Sequence, residues 1–141
     1  MSNNIKNHKA GHEAFNKRDF AAATDLFRPE LEYLDIPRGI TLKTSTEWST
    51  WAQAWASAFS DAKITDARYI DGGDTTVALF HARGTNDGAM GPIPATGARL
   101  DLPFCEVLTF DKNGKVIAGE LYYDGMTMMV QLGLAQPPAG S

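Results

Sequence analysis

The sequence predicts an α+β fold in which helices come first and an antiparallel run of strands follows. Three observations carry this. A chain of 141 residues suits one domain. Up to Phe59 apolar residues recur mainly at helical spacing, whereas after Ile64 the period becomes two. Two strong turn signals, Asp71-Gly72-Gly73-Asp74 and Asp111-Lys112-Asn113-Gly114, divide that second half.

Ile5, His8, His12 and Phe15 share one helix face, and Asp19 is the N-cap expected for a second short helix carrying Phe20, Ala23 and Phe27, which stops at Arg28-Pro29. A short strand is expected over 31–36. Thr44 and Glu47 stand in capping-box order ahead of Trp48, Trp51, Trp55 and Phe59, one aromatic stripe on a third helix. Strands are expected over 64–70, 75–83, 99–110 and 115–124. The segment 84–97, rich in glycine, is a long loop able to lie over a pocket mouth. A last helix over 126–132 ends at Gly133. The domain is expected to span 1–134, with 135–141 a disordered tail.

Composition narrows the function classes. Thirteen basic against seventeen acidic residues give a net charge of -4, which leaves no basic excess for gripping nucleic acid or an anionic membrane. No apolar run is long enough to cross a bilayer, and the polar N-terminus lacks a signal-peptide core, so a cytoplasmic protein is expected. Cys105 is the single cysteine, which excludes an internal disulfide and a multi-cysteine zinc site. His8 and His12 stand four apart, a spacing that suits a metal, but no carboxylate completes the set at an obvious spacing. A hydrogen-bonded histidine face is the expectation there, with neither metal nor cofactor.

Ala14-Phe15-Asn16 to Leu26-Phe27, Pro94-Ala95-Thr96-Gly97, Asn113-Gly114-Lys115-Val116, Tyr123-Asp124 and Gln131-Leu132-Gly133 occur in an order and spacing that resembles the NTF2-like superfamily, and within it the SnoaL-like polyketide cyclases. The resemblance implies a curved antiparallel sheet wrapped round three helices into a cone, a small apolar ligand inside it, and a homodimer. It also implies where chemistry would sit. Counted from those anchors, the cyclase aspartate position holds Leu121 and the neighbouring histidine position holds Glu106. Arg99-Leu100-Asp101 imitates an epoxide-hydrolase run but follows the Pro-Ala-Thr-Gly loop instead of preceding it. The ketosteroid isomerases are similar from Leu26-Phe27 to Asp35-Ile36-Pro37, which puts their general base at Asp35 and their second carboxyl at Glu106, while their oxyanion tyrosine position holds Gly11.

Asp35 and Glu106 are therefore the candidate catalytic pair: Asp35 to abstract a proton alpha to a carbonyl, Glu106 to stay neutral by burial and stabilise the enolate. The competing reading, favoured by how common aspartates are in turns, is that Asp35 accepts backbone N–H bonds in the turn before Pro37. Candidate pocket residues are Tyr33, Trp51, Trp55, Phe59, His81, Arg83, Met90, Phe104, Leu121, Tyr123 and Met128. The aromatic stripe is core first and pocket wall second, and for Arg83 solvation at the surface is expected ahead of a place in the pocket. Asp124 suits an N-cap. The expected function is cofactor-independent proton transfer, of cyclase or isomerase type, on a small apolar carbonyl or polyketide-like compound. The alternative is a non-catalytic binder of a small apolar ligand in the same cone.

Overall fold

A computed structural model describes residues 3–139. The chain begins with α1 (Asn3–Asn16) and α2 (Phe20–Thr24), forms the hairpin β1 (Phe27–Asp35) and β2 (Ile40–Thr44), and enters α3 (Ser45–Ala58). Four longer strands follow, β3 (Lys63–Gly72), β4 (Thr75–Thr85), β5 (Arg99–Phe110) and β6 (Val116–Tyr123), before α4 (Gly125–Gln131). Residues 135–139 hold no helix or strand, and the rest of the expected tail, 140–141, lies outside the described residues, as do residues 1–2.

Local chemistry sets the boundaries. The Asp19 side chain accepts from the Ala22 N–H and so caps α2. Thr44 accepts from the Glu47 N–H at 3.1 Å while Glu47 reaches back to the Lys43 N–H, closing α3's first turn as the sequence predicts. Asp124 caps α4 through the Met126 and Thr127 N–H groups. Gly114 lies at φ +78°, the left-handed turn that lets β5 fold back into β6.

The six strands form one curved, open sheet in the order β2-β1-β6-β5-β4-β3. Neighbours are antiparallel except β1 and β6, which run parallel because the chain passes through β2, α3 and three strands before β6 returns beside β1. The sheet is thus mixed. β1 starts earlier than expected, and the register irregularity beyond Phe27 accommodates Pro29. β2 was not anticipated, although Ile40 and Leu42 alternate with Thr41 and Lys43.

Alternation decides what faces the helices. Along β5 the even positions from Leu100 to Phe110 are buried, and along β1 Leu31, Tyr33 and Asp35 are. Helices α1 and α3 cover that face, α1 over β3 and β4 and α3 over β1 and β2. The loop after β4 is fastened by the buried Asn86, whose side chain bonds Ala58 O, Gly88 O and the Thr96 N–H. It packs on the end of α3 and contributes no residue to the cavity wall, so the expected cover over a pocket mouth is not formed.

Candidate functional site

Helical spacing puts His8 and His12 on the buried side of α1, and strand parity puts Glu106 on the inner face of β5. The two meet. His8 Nε2 lies 2.9 Å and His12 Nε2 2.8 Å from the same oxygen, Glu106 Oε1. The Tyr33 hydroxyl donates to Oε2. Behind the imidazoles, His8 Nδ1 lies 2.7 Å from Thr76 Oγ1, and His12 Nδ1 2.8 Å from the Tyr69 hydroxyl.

A carboxylate oxygen carries no proton, so both Nε2 atoms are the donors to Glu106; in a neutral imidazole Nδ1 then accepts from Thr76 or Tyr69. Glu106 is only 8 % exposed, and so unpaired would be costly. Burial by itself would push its pKa up, but hydrogen bonds and charge from His12 and His8 together outweigh burial and hold the carboxyl well below its usual range. This reverses the expectation of a neutral Glu106. The reason is the histidine pair, which supplies donors that an apolar strand does not reveal. Burial first, and then the Glu106 charge, raise Tyr33 well above the usual tyrosine value. The same causes push Tyr69 up to about 12.

Tyr33 reaches Glu106 because of a glycine. Tyr33 pairs with Gly119 on β6, and Gly119 with Leu108 on β5. A Cβ at Gly119 would lie 2.4 Å from the Tyr33 ring, so the ring lies across the space that a side chain would fill.

The cluster faces a cavity of about 110 Å³. A single water needs roughly 10–15 Å³ by the same measure, so this is room for a small ring. Of the residues predicted to line it, Tyr33, Trp51, Trp55, Phe59, Arg83, Phe104, Leu121 and Glu106 do. Arg83 only borders it, because the guanidinium is held by Asp66 at 2.8 Å and Asp101 at 3.2 Å. Four others are corrected. His81 alternates to the outer face, where Nδ1 meets Asp101 at 2.8 Å. Met90 belongs to the loop after β4 and is buried there beside Arg38, and Met128 is buried on α4, which packs on β5. Tyr123 stands apart from the wall, its ring edge-on to Trp55 and its hydroxyl on Asp35. Residues that sequence reasoning did not place in the site are His8, His12, Tyr69, Thr76 and Gly119. Their one legible signal was the pair of histidines on an apolar helix face.

Asp35 is fully buried yet does not border the cavity. Trp51 Nε1 donates to Oδ2 at 3.0 Å and the Tyr123 hydroxyl to Oδ1 at 2.8 Å, with Arg38 Nη1 3.7 Å away. Side-chain donors, not the turn backbone, satisfy it. Asp35, Leu121 and Glu106 are register partners across β1, β6 and β5, so Leu121 stands between the two acids.

Among the described residues, His8, His12 and Glu106 are the group whose ligand atoms, all within 4.8 Å of one another, could meet one cation. A cation there would displace two protons and their hydrogen bonds.

The SnoaL-like domain model matches residues 9–118, most of the chain, including His12, Asp35 and Glu106. The chain belongs to the SnoaL-like domain family. Solved structures agree on the fold. A candidate SnoaL-like polyketide cyclase from Jannaschia sp. CCS1 superposes with a TM-score of 0.85 at 15% identity, over 96% of this chain and 94% of that one. AclR, a candidate hydroxylase from Streptomyces galilaeus, gives 0.80 at 17% over 94% and 97%. A protein of ketosteroid isomerase-like fold from Catenulispora acidiphila, solved with trimethylamine, gives 0.77 at 19% over 93% and 97%. No curated protein matches significantly. No helix among the described residues is long and apolar enough to cross a membrane.

Proposed function

We propose that this SnoaL-like domain is a proton-transfer enzyme of cyclase or isomerase type that acts, without a cofactor, on a small carbonyl compound held in the cavity. The observation that carries this is the histidine–carboxylate cluster set into a mostly apolar wall. His12 is the group a substrate can reach, since its side chain keeps 10% exposure where His8 keeps 1%. Its Nδ1 takes the proton alpha to the carbonyl as the Tyr69 hydroxyl turns away from it, and returns it elsewhere, while the Glu106 carboxylate, still bonded to Nε2, orients the ring and stabilises the imidazolium that forms. Asp35, which does not border the cavity, acts through Trp51 as a positioning residue.

The test is deuterium exchange alpha to the carbonyl of neutral ring ketones in D2O, followed by NMR. The wild type should exchange a bound ketone at least about a hundredfold faster than His12→Gln. Equal rates for every ketone that binds would sink the catalytic reading. It would favour the second one, a binding module, which has its own support: both carboxylate oxygens and all four imidazole nitrogens of the cluster are already engaged within the protein. A cytoplasmic homodimer belongs to the same proposal. Ile70 and Tyr122, 47% and 41% exposed, offer apolar surface to a partner, and light scattering that shows only a 15.3 kDa species would exclude the dimer.

A further inference from the structure

Two imidazoles one helical turn apart suit a metal ion, but no spacing along the chain places a carboxylate beside them; folding supplies it. Glu106 arrives on β5 from 98 residues beyond His8 and 94 beyond His12, and its Oε1 meets both Nε2 atoms. The ligand atoms of the three residues lie within 4.8 Å of one another. They are also within reach, since all three residues border the cavity and the His12 and Glu106 side chains keep 10% exposure apiece.

We propose that His8, His12 and Glu106 form a binding site for one divalent first-row transition-metal ion, with its remaining coordination positions turned to the cavity. Donor chemistry selects the class: two imidazoles with one carboxylate suit zinc or ferrous iron, whereas calcium and magnesium favour oxygen alone. Spacing agrees. An ion about 2.0–2.1 Å from its ligands sets neighbouring ones about 2.9 Å apart at right angles and about 3.4 Å apart at the tetrahedral angle. The observed 2.9 and 2.8 Å lie at the short end of that range, so an ion replaces the two Nε2 protons as the carboxylate swings off the N–H lines.

The surroundings hold the ligands in both states. Tyr33 anchors Oε2 and leaves Oε1 to the ion. Thr76 Oγ1 and the Tyr69 hydroxyl stand 2.7 and 2.8 Å from the two Nδ1 atoms, and a hydroxyl accepts as well as donates. When Nε2 binds the ion, the displaced proton of a neutral imidazole passes to Nδ1, which then donates to that oxygen, the outer bond that orients a metal-ligating histidine. The site goes beyond the proton-transfer reading and competes with it, because His12 with Nδ1 protonated and Nε2 on the ion is no base.

Cobalt(II) is the probe, because its visible absorption reports ligation. The wild type should bind one Co(II) per chain, and Zn(II) should displace it. His8→Gln should lose the absorption, Thr76→Val should bind about tenfold to a hundredfold more weakly, and His81→Gln, which removes the exposed histidine beside Asp101, should bind as the wild type does. If His8→Gln does not fold, nitrogen NMR of the wild type answers the same question. Zn(II) should move the Nε2 signals of two of the chain's three histidines and leave that of His81, assigned by its loss in His81→Gln. No binding at millimolar Co(II), binding that survives His8→Gln, or binding that His81→Gln removes overturns the proposal. The outcome is separate from catalysis: alpha exchange by a chain that binds no Co(II) refutes the metal site alone, and Co(II) binding by a chain that shows no alpha exchange when metal-free refutes proton transfer alone.

Discussion

Asp35 and Glu106 occupy one row of the sheet with Leu121 between them, and both are buried, yet their surroundings differ in kind. Glu106 is bound by two imidazoles and a phenol that all line the cavity. Asp35 is bound by an indole, a phenol and a more distant guanidinium, behind the wall. None of Asp35's donors readily gives up its proton near neutral pH: burial first, and then Asp35 itself, push Tyr123 far up. Histidine is the side chain suited to that exchange. Burial of an acid therefore does not mark the reactive one; the proton-carrying capacity of its partners does.

The largest effect should come from removing the barrier. Leu121→Asp puts a third carboxyl between two buried ones with no donor assigned to it, and should cost about 3–5 kcal/mol or prevent folding. Leu121→Asn, similar in size and uncharged, should cost less, and urea unfolding compares the two.

Glu106→Gln comes next, with a loss of roughly 1.5–3 kcal/mol near pH 7 as charge-assisted bonds become neutral ones. Its pH dependence has a definite sign. The folded pKa is depressed, so the stabilisation is present above the unfolded value of about 4.3 and is lost as pH falls below that toward the folded pKa. The gap between wild type and Glu106→Gln should shrink from about pH 7 to about pH 3, the reverse of what an isolated buried acid would give.

Much of the fold was legible because it is written in local chemistry: Asp19 and Thr44 cap where they stand in the sequence, and Asn113-Gly114 turns where expected. The site was half legible. An ionisable residue in the run Phe104-Cys105-Glu106-Val107-Leu108 announces a need for partners. Their identity depends on α1 packing over β3 and β4 within side-chain reach of Glu106 on β5, a contact spanning ninety-odd residues that no spacing rule supplies. The raised pKa expected for Glu106 failed for that reason. His81 and Tyr123 were misplaced because strand alternation and a neighbour's hydrogen bond, not residue type, decide which way a polar side chain points.

Gly119→Ala should cost about 1–3 kcal/mol, since its Cβ pushes Tyr33 off Glu106. It should also move the Tyr33 absorbance titration to lower pH, because the hydroxyl loses the carboxylate that holds its proton. The smallest effect belongs to Asp35→Asn, about 1 kcal/mol of stability, with the pH profile of alpha exchange unmoved. A shifted profile would return Asp35 to the chemistry.

The central claim is that Glu106 is the ionised centre of the cluster. A carbon-13 titration of the Glu106 side-chain carboxyl reads this directly, assigned by its absence in Glu106→Gln. The account predicts the carboxylate shift held unchanged down to about pH 4, below the range in which an ordinary glutamate begins to protonate. A midpoint above about 4.5 would contradict it and restore Glu106 as a neutral acid.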